Sequence, residues 1–295
     1  MTYTLFIGDR TYSSWSLRGW LMLEKFGLPH RIVEVGLYTG TMRRDLAPAA
    51  PAHLVPALLT PEGEPLGDTM AIAETLAERH PGAGLWPEDA AARMRARWLA
   101  AEMHSGFAAL RSRCPMVLSH SYDGFLAPPE VLAELDRLQA IWAEAHARFG
   151  AGGPWLFGRY SLADAFYAPV AARIAAYGLP VGDAAANYVA QHLADPAFRR
   201  WRAEGLTVGY EPEPYAMDLP RLPWPGPEPV AARAVASGPS VNAACPFSGK
   251  PPTHFLKTQG VVIGFCNARC RDKAANDPEA FPEVSAIYHS VTKQA

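Results

Sequence analysis

Residues 2–27 read TYTLFIGDRTYSSWSLRGWLMLEKFG, and the fold follows from how that stretch changes period. Thr2–Gly8 is a short apolar run rich in β-formers. Ser16–Gly27 then carries Leu17, Trp20, Leu21 and Leu23 at helical spacing and ends on Gly27-Leu28-Pro29, a helix stop. Working outward, Arg31–Val35 reads as a second strand. Ala57–Leu59 and Pro65–Leu66 flank a Pro-Glu-Gly-Glu turn and read as a hairpin. Asp68–Arg79 reads as a helix with Asp68 as its N-cap. The order β-α-β, a connection, then β-β-α predicts one small α/β domain over residues 1–85.

Beyond it the pattern turns helical, predicting an all-α domain over 88–211. Ala91–Arg113 and Pro129–Gly150 carry apolar residues three and four apart, as at Val131, Leu135, Leu138 and Trp142. Ser161-Leu162-Ala163-Asp164 is a capping-box pattern that marks a buried helix start. From Pro212 to Pro229 there are seven prolines in 18 residues, which excludes helix or central strand. Residues 212–240 therefore read as a semi-rigid linker between independently stable units, with a small module over 241–295.

The chain has 295 residues and a net charge of -2. That balance disfavours nucleic acid as a partner. No run approaches the roughly 18 apolar residues of a membrane span. The first ten residues lack the basic start and apolar core of a secretory signal, so a cytoplasmic protein without membrane attachment is expected. Of four cysteines, Cys245, Cys266 and Cys270 crowd into the tail, which suggests metal or redox chemistry. Cys114, before a proline in the helical half, reads as a packing residue.

Two places in the α/β half carry possible chemistry. Tyr12-Ser13-Ser14-Trp15-Ser16-Leu17-Arg18 is a hydroxyl-rich turn into a helix, and Val55-Pro56 is followed by Asp68-Thr69 at another helix start. Hydroxyls and free amides at helix N-termini suit anions, although Ser13 and Ser14 can equally be plain caps. Taken in order, the serine five positions before Arg18, the Val-Pro step, the Asp-Thr pair and the Ser161–Asp164 box resemble the glutathione transferase superfamily over residues 2–210. The resemblance implies a thioredoxin-like first domain, an all-helical second domain, glutathione as co-substrate, a small-molecule electrophile and a homodimer. It makes Ser13 the serine that activates the glutathione thiol, with Tyr12 as a rival donor. It further implies that the Val55 backbone pairs with the cysteinyl main chain, that Pro56 is cis, and that Asp68 and Thr69 hold the γ-glutamyl end.

Two departures stand out. His53 and Leu54 occupy the place where many relatives carry a lysine or glutamine for the glycine carboxylate, and Trp15 replaces the cysteine of the maleylacetoacetate isomerase class. Trp15, Trp98 and Phe107 are candidates for the wall of the electrophile pocket, with core packing as their other reading. An unperturbed thiol is only a few per cent ionised at neutral pH. One hydroxyl hydrogen bond to the thiolate contributes ~1.5–3 kcal/mol, or about one to two pKa units.

The tail joins a turn cysteine, Cys245, to Cys266 and Cys270, which share one face of a helix entered from the strand Val261–Phe265. Small ββα modules gather zinc this way, and three buried thiols are the plainer alternative. Cys245-Pro-Phe-Ser-Gly-Lys-Pro, followed by Gly264-Phe-Cys-Asn-Ala-Arg-Cys270, resembles the YHS/TRASH-type metal-binding modules over 240–284. Tetrahedral zinc needs a fourth ligand. His254 is the candidate, with His289 second. The expected function is a glutathione transferase with a zinc-binding tail; the alternative is a non-catalytic transferase fold that binds a ligand or senses metal.

Overall fold

The computed structural model describes residues 2–292, which divide into two compact units. One takes residues 2–193 with 211–225, and the other takes 194–210 with 226–292.

The first unit begins with β1 (Tyr3–Ile7), α1 (Ser14–Glu24), β2 (His30–Glu34), the single turn α2 (Met42–Asp45), β3 (Ala57–Leu59), β4 (Pro65–Gly67) and α3 (Thr69–Arg79). The sheet order is β2-β1-β3-β4, with β1 parallel to β2 and antiparallel to β3. This is the expected thioredoxin-like arrangement. β1 is buried at every position, as a central strand covered on both faces requires.

The helical part comprises α4 (Ala90–Ser105), α5 (Ala108–Arg113), the short strand β5 (Ser121–Tyr122), α6 (Pro129–Phe149), α7 (Leu162–Ala176) and α8 (Asp183–Ala194). The helix expected over 91–113 is in fact two. Phe107 adopts a left-handed φ of 54°, and a Cβ on Gly106 would lie 2.7 Å from the Glu102 carbonyl. The Glu134 carboxylate then caps the new start, accepting from the Ala109 and Leu110 amides at 3.1 and 2.7 Å. All of α7 except Ala175 is buried. Its capping box is present: Asp164 accepts from the Ser161 amide at 2.8 Å and from the Tyr188 hydroxyl at 2.8 Å. Burial pushes the Asp164 carboxyl up to about 6, against the pull of those donors.

The proline-rich segment is not a free linker. Its first part returns to this unit as β6 (Arg221–Leu222), paired antiparallel with β5 through Ser121↔Leu222 and Tyr122↔Arg221. The pairing uses two residues that lie between prolines and so still carry amide donors.

The second unit contains α9 (Pro196–Gly205), β7 (Ala232–Val235), β8 (His254–Thr258), β9 (Val261–Phe265), α10 (Ala268–Asn276) and α11 (Pro282–Thr292). Its sheet runs β7-β8-β9, antiparallel throughout. Two differences from the sequence reading follow. β7 lies inside the expected linker, where it supplies the edge partner of β8. And α9, assigned to the helical domain on periodicity, packs with the tail: Arg199 forks onto Asp277 with two contacts of 2.8 Å, and Asn276 donates to the Ala203 carbonyl at 2.9 Å. Ala203 joins a core of Leu256, Ile263, Phe265, Phe281, Val284 and Tyr288. The tail thus has a larger core than its own 50-odd residues suggest, because it borrows a helix. Among the described residues no helix is long and apolar enough to cross a membrane.

Candidate functional site

The first unit encloses a cavity of about 490 Å³ lined by Trp15, residues 52–56, residues 67–69 and His104. Its floor comes from the step into β3. The Val55–Pro56 peptide is cis. Gly19 of α1 admits Pro56 closely, since a Cβ there would meet the proline ring at 2.9 Å. One wall is the start of α3. Asp68 takes a left-handed φ of 68°, and its Oδ1 accepts from the Met70 and Ala71 amides at 2.8 and 3.3 Å. These are two of the orphan donors at the helix start, so the N-cap itself uses amides that an anion would otherwise take.

The adjoining wall is the last turn of α4. His104 places Nε2 3.2 Å from Asp68 Oδ2 and Nδ1 3.2 Å from Thr69 Oγ1. Its ring stands edge-on to Trp15 at 5.2 Å. Arg18 and Arg111 lie over the Trp15 ring at 4.4 and 4.9 Å. Val55, Pro56, Asp68 and Thr69, chosen from sequence as one binding set, therefore line one space, and Trp15 joins them. Trp98 and Phe107 are not on this wall. Trp98 is half exposed beside Arg95, and Phe107 is buried at the α4–α5 break.

Ser13 is not on the cavity wall either. It caps α1, accepting from the Ser16 amide at 3.3 Å, while its hydroxyl donates to Ser16 Oγ at 2.7 Å. Ser16 Oγ in turn accepts from the Gly8 amide at 2.9 Å, closing a buried chain under the turn. Tyr12 is buried against Tyr215, and burial followed by the Glu211 charge pushes its phenol up to about 12. Sequence reasoning missed His104 and Gly19. A histidine in a last helical turn has an ordinary dipole reading, and nothing local links it to residues on another domain. The glycine between Arg18 and Trp20, inside a helix, was the one readable hint of close backbone approach.

In the second unit, Sγ of Cys245, Cys266 and Cys270 all lie within 4.8 Å of one another. Cys266 Sγ receives the Ser248 hydroxyl at 3.1 Å and Asn267 Nδ2 at 3.2 Å. Burial raises the Cys245 thiol, but the amides of Cys266, Phe247 and Ser248, with the Ser248 hydroxyl, outweigh it and hold it at about 7. Burial and the neighbouring cysteines push Cys270 up to about 11. Among the described residues the group contains no histidine or carboxylate. His254 starts β8 and turns Nδ1 to Thr253 Oγ1 at 3.0 Å, so its nearness to Cys245 in sequence does not make it a fourth partner here. His289 lies outside the group too. Cys114 is fully buried, and burial pushes its thiol up to about 12, as a packing residue requires.

Comparison with known proteins agrees with the first unit. The family described as glutathione S-transferase, N-terminal domain, matches residues 12–79. No curated protein sequence matches the chain. Among solved structures, a glutathione transferase homolog from Burkholderia gl BGR1 with bound glutathione is 23% identical, covering 70% of this chain and all of its own, with a TM-score of 0.53. A glutathione transferase from Methylococcus capsulatus is 21% identical over 70% of this chain and all of its own, with a TM-score of 0.51. A homolog from Sulfitobacter with bound glutathione is 22% identical over 69% of this chain and 98% of its own, with a TM-score of 0.50. Residues 12–79 therefore match the glutathione S-transferase N-terminal domain model, and about 70% of the chain is similar in fold to solved glutathione transferases.

Proposed function

We propose that the protein is a glutathione transferase that binds glutathione in the cavity at residues 52–69 and presents its thiol to a small electrophile. The observation that carries this reading is the convergence of Val55, Pro56, Asp68 and Thr69 on one space. The Val55 backbone would pair with the cysteinyl main chain, and Asp68 and Thr69 would take the γ-glutamyl end. Ser13 is the proposed activator. Its hydroxyl must turn from Ser16 Oγ to donate to the thiol sulfur, which releases its proton to solvent; the thiolate then bonds to the electrophilic carbon as a leaving group departs with its electron pair, or as a π bond opens and takes up a proton from solvent. That single donor would lower the thiol pKa by about one to two units. A cytoplasmic homodimer belongs to the same proposal.

We also propose that Cys245, Cys266 and Cys270 hold zinc. The donor set fits: three soft sulfurs lie close enough to share one ion, and amides and hydroxyls already point at them. When bound, the ion would supply positive charge to three thiolates and clasp the Cys245 turn and the end of β9 to α10. The fourth position would be filled by His254 after a side-chain rotation, or by solvent.

The second reading is a non-catalytic transferase fold that binds a ligand or senses metal. The observation favouring it is that the Ser13 hydroxyl is committed to Ser16 Oγ at 2.7 Å. The two separate in Ser13→Ala. A catalytic Ser13 predicts a conjugation rate that falls far more than glutathione affinity, with the bound thiol titrating at higher pH. An unchanged thiol pKa removes Ser13 from the mechanism and leaves Ser14 or Tyr12 as donor; saturable binding without turnover on any electrophile supports the second reading.

A further inference from the structure

The cysteine group of the second unit has two unlike surroundings. Cys245 belongs to an apolar core with Leu256, Ile263, Phe265 and Phe281, and Phe247 packs against it. Those hydrocarbon side chains offer a metal no donor. Cys266 and Cys270 are only partly covered, so the group opens on their side. A cavity of about 320 Å³ lies there, lined by Glu204, Thr207, Asn267, Arg269, Cys270 and Lys273. Two of these residues serve the cysteine group as well. Cys270 supplies a sulfur, while Asn267 donates its Nδ2 to Cys266 Sγ at 3.2 Å and accepts from the Cys270 amide at 2.8 Å.

Three sulfurs take three corners of a tetrahedron, and a site with only three protein ligands leaves its fourth corner to a water or an incoming molecule. Among the described residues no histidine or carboxylate joins the group. Glu204, the carboxylate on the cavity wall, is taken up by Lys273, whose Nζ lies 3.1 Å from its Oε1. Lys273 is further held over the Phe247 ring, 3.9 Å from its centroid. Arg269 is exposed beside Cys270 at the start of α10. A dication on three thiolates keeps one net negative charge, so a further anion is disfavoured unless cations stand next to it. Arg269 and Lys273 outnumber Glu204 on this wall, and that surplus offsets an anionic ligand. Sulfur is the donor that matches three thiolates in softness.

We propose that the cysteine group is an open metal site, whose fourth position takes a small anionic thiol seated in the cavity beside Cys270 and steadied by Arg269 and Lys273. The proposal rests on the zinc reading above.

The test replaces zinc with cobalt(II) in the full-length protein, because the visible spectrum of cobalt reports the number and kind of its ligands. 3-Mercaptopropionate is titrated in, alongside 2-mercaptoethanol, which lacks the carboxylate, and propionate, which lacks the sulfur. The spectrum should change saturably at one mercaptopropionate per cobalt, with the metal retained on the protein. Its affinity should exceed that of either control by at least about tenfold, the scale of one good charged contact. In Arg269→Gln or Lys273→Gln the preference over 2-mercaptoethanol should fall below about threefold. His254→Ala should leave the cobalt spectrum as it is. A spectrum indifferent to all three compounds overturns the proposal, as does equal affinity for the two thiols or removal of cobalt by the thiol. An undiminished preference in both cation variants, or a spectrum altered by His254→Ala, overturns it too. Each of these results leaves metal binding by the cysteines standing. A reduced wild type that binds no cobalt ends the zinc reading itself.

Discussion

The two candidate sites are built on different principles. The cavity of the first unit is made of backbone and helix starts, and three of its polar side chains already have partners: Asp68 holds two amides, and His104 holds Asp68 and Thr69. It keeps its shape by packing against a buried core, with Leu5, Leu58 and Ile72 fully covered. The cysteine cluster instead gathers three ionisable sulfurs in one corner, where each additional thiolate is disfavoured by the others. A cation relieves that repulsion, and nothing in the first site needs such relief. The cavity keeps its shape without a ligand, whereas the proposed zinc, if bound, would add stability to the cluster.

The strongest way to break this comparison is to remove the tail. A chain ended at Pro229 keeps α9 but loses Asp277 and Asn276, which hold it, and the core that Ala203 joins. The expected product is aggregated or insoluble, despite the intact first unit. A monodisperse, glutathione-binding product would show that α9 does not depend on the tail.

Asp164→Ala should be the most damaging single change to the first unit. It strips four donors of their acceptor at a fully buried helix start, at a cost of ~3–5 kcal/mol by urea unfolding. A loss below about 1 kcal/mol would mean the capping box is incidental. Metal content should not respond.

Cys270→Ser sharpens the contrast from the other side. Zinc affinity should fall by at least about a hundredfold while glutathione affinity is unchanged. Reduced wild type purified without any metal would defeat the zinc reading.

The smallest effect concerns acid stability. Burial, followed by the Lys25 charge, pulls the His192 imidazole down to about 3 from the usual 6.5. Its folded pKa is depressed, so the neutral ring's contribution is fully present above pH 6.5 and is lost as pH falls from there toward about 3. His192→Phe preserves contacts with Trp155 and Tyr188, whose centroids lie at 5.0 and 4.6 Å. Between pH 7 and 5 the variant should lose about 2 kcal/mol less stability than wild type. Equal losses would show that His192 is not the acid-sensitive group.

The parts of the molecule legible in the sequence are those governed by local period and capping. β1, β2, the hairpin and α3 follow from short β-forming runs, the Gly-Leu-Pro stop and the Asp68 cap, and the step from β9 into α10 follows from the apolar run Val261–Phe265 and the spacing of Cys266 and Cys270. What was not legible depends on partners distant in the chain. The amphipathic pattern of α9 says that Phe198 and Trp201 are buried, but not that the tail buries that helix. Proline counting forbids a central strand, yet two-residue gaps such as Arg221–Leu222 still pair at an edge. His254 sits near Cys245 in sequence, but its strand register with Phe265 and its bond to Thr253 send the ring elsewhere. His104 reaches Asp68 and Thr69 only because α4 packs beside α3.

The central claim is that the cavity at residues 52–69 binds glutathione, and calorimetric titration of the full-length wild type and Thr69→Val tests it most directly. Saturation at one glutathione per chain is expected in the wild type, with an affinity at least about tenfold weaker in Thr69→Val, which loses a buried hydroxyl with little change in shape. No saturable heat in the wild type, or identical affinity in the two proteins, would contradict it.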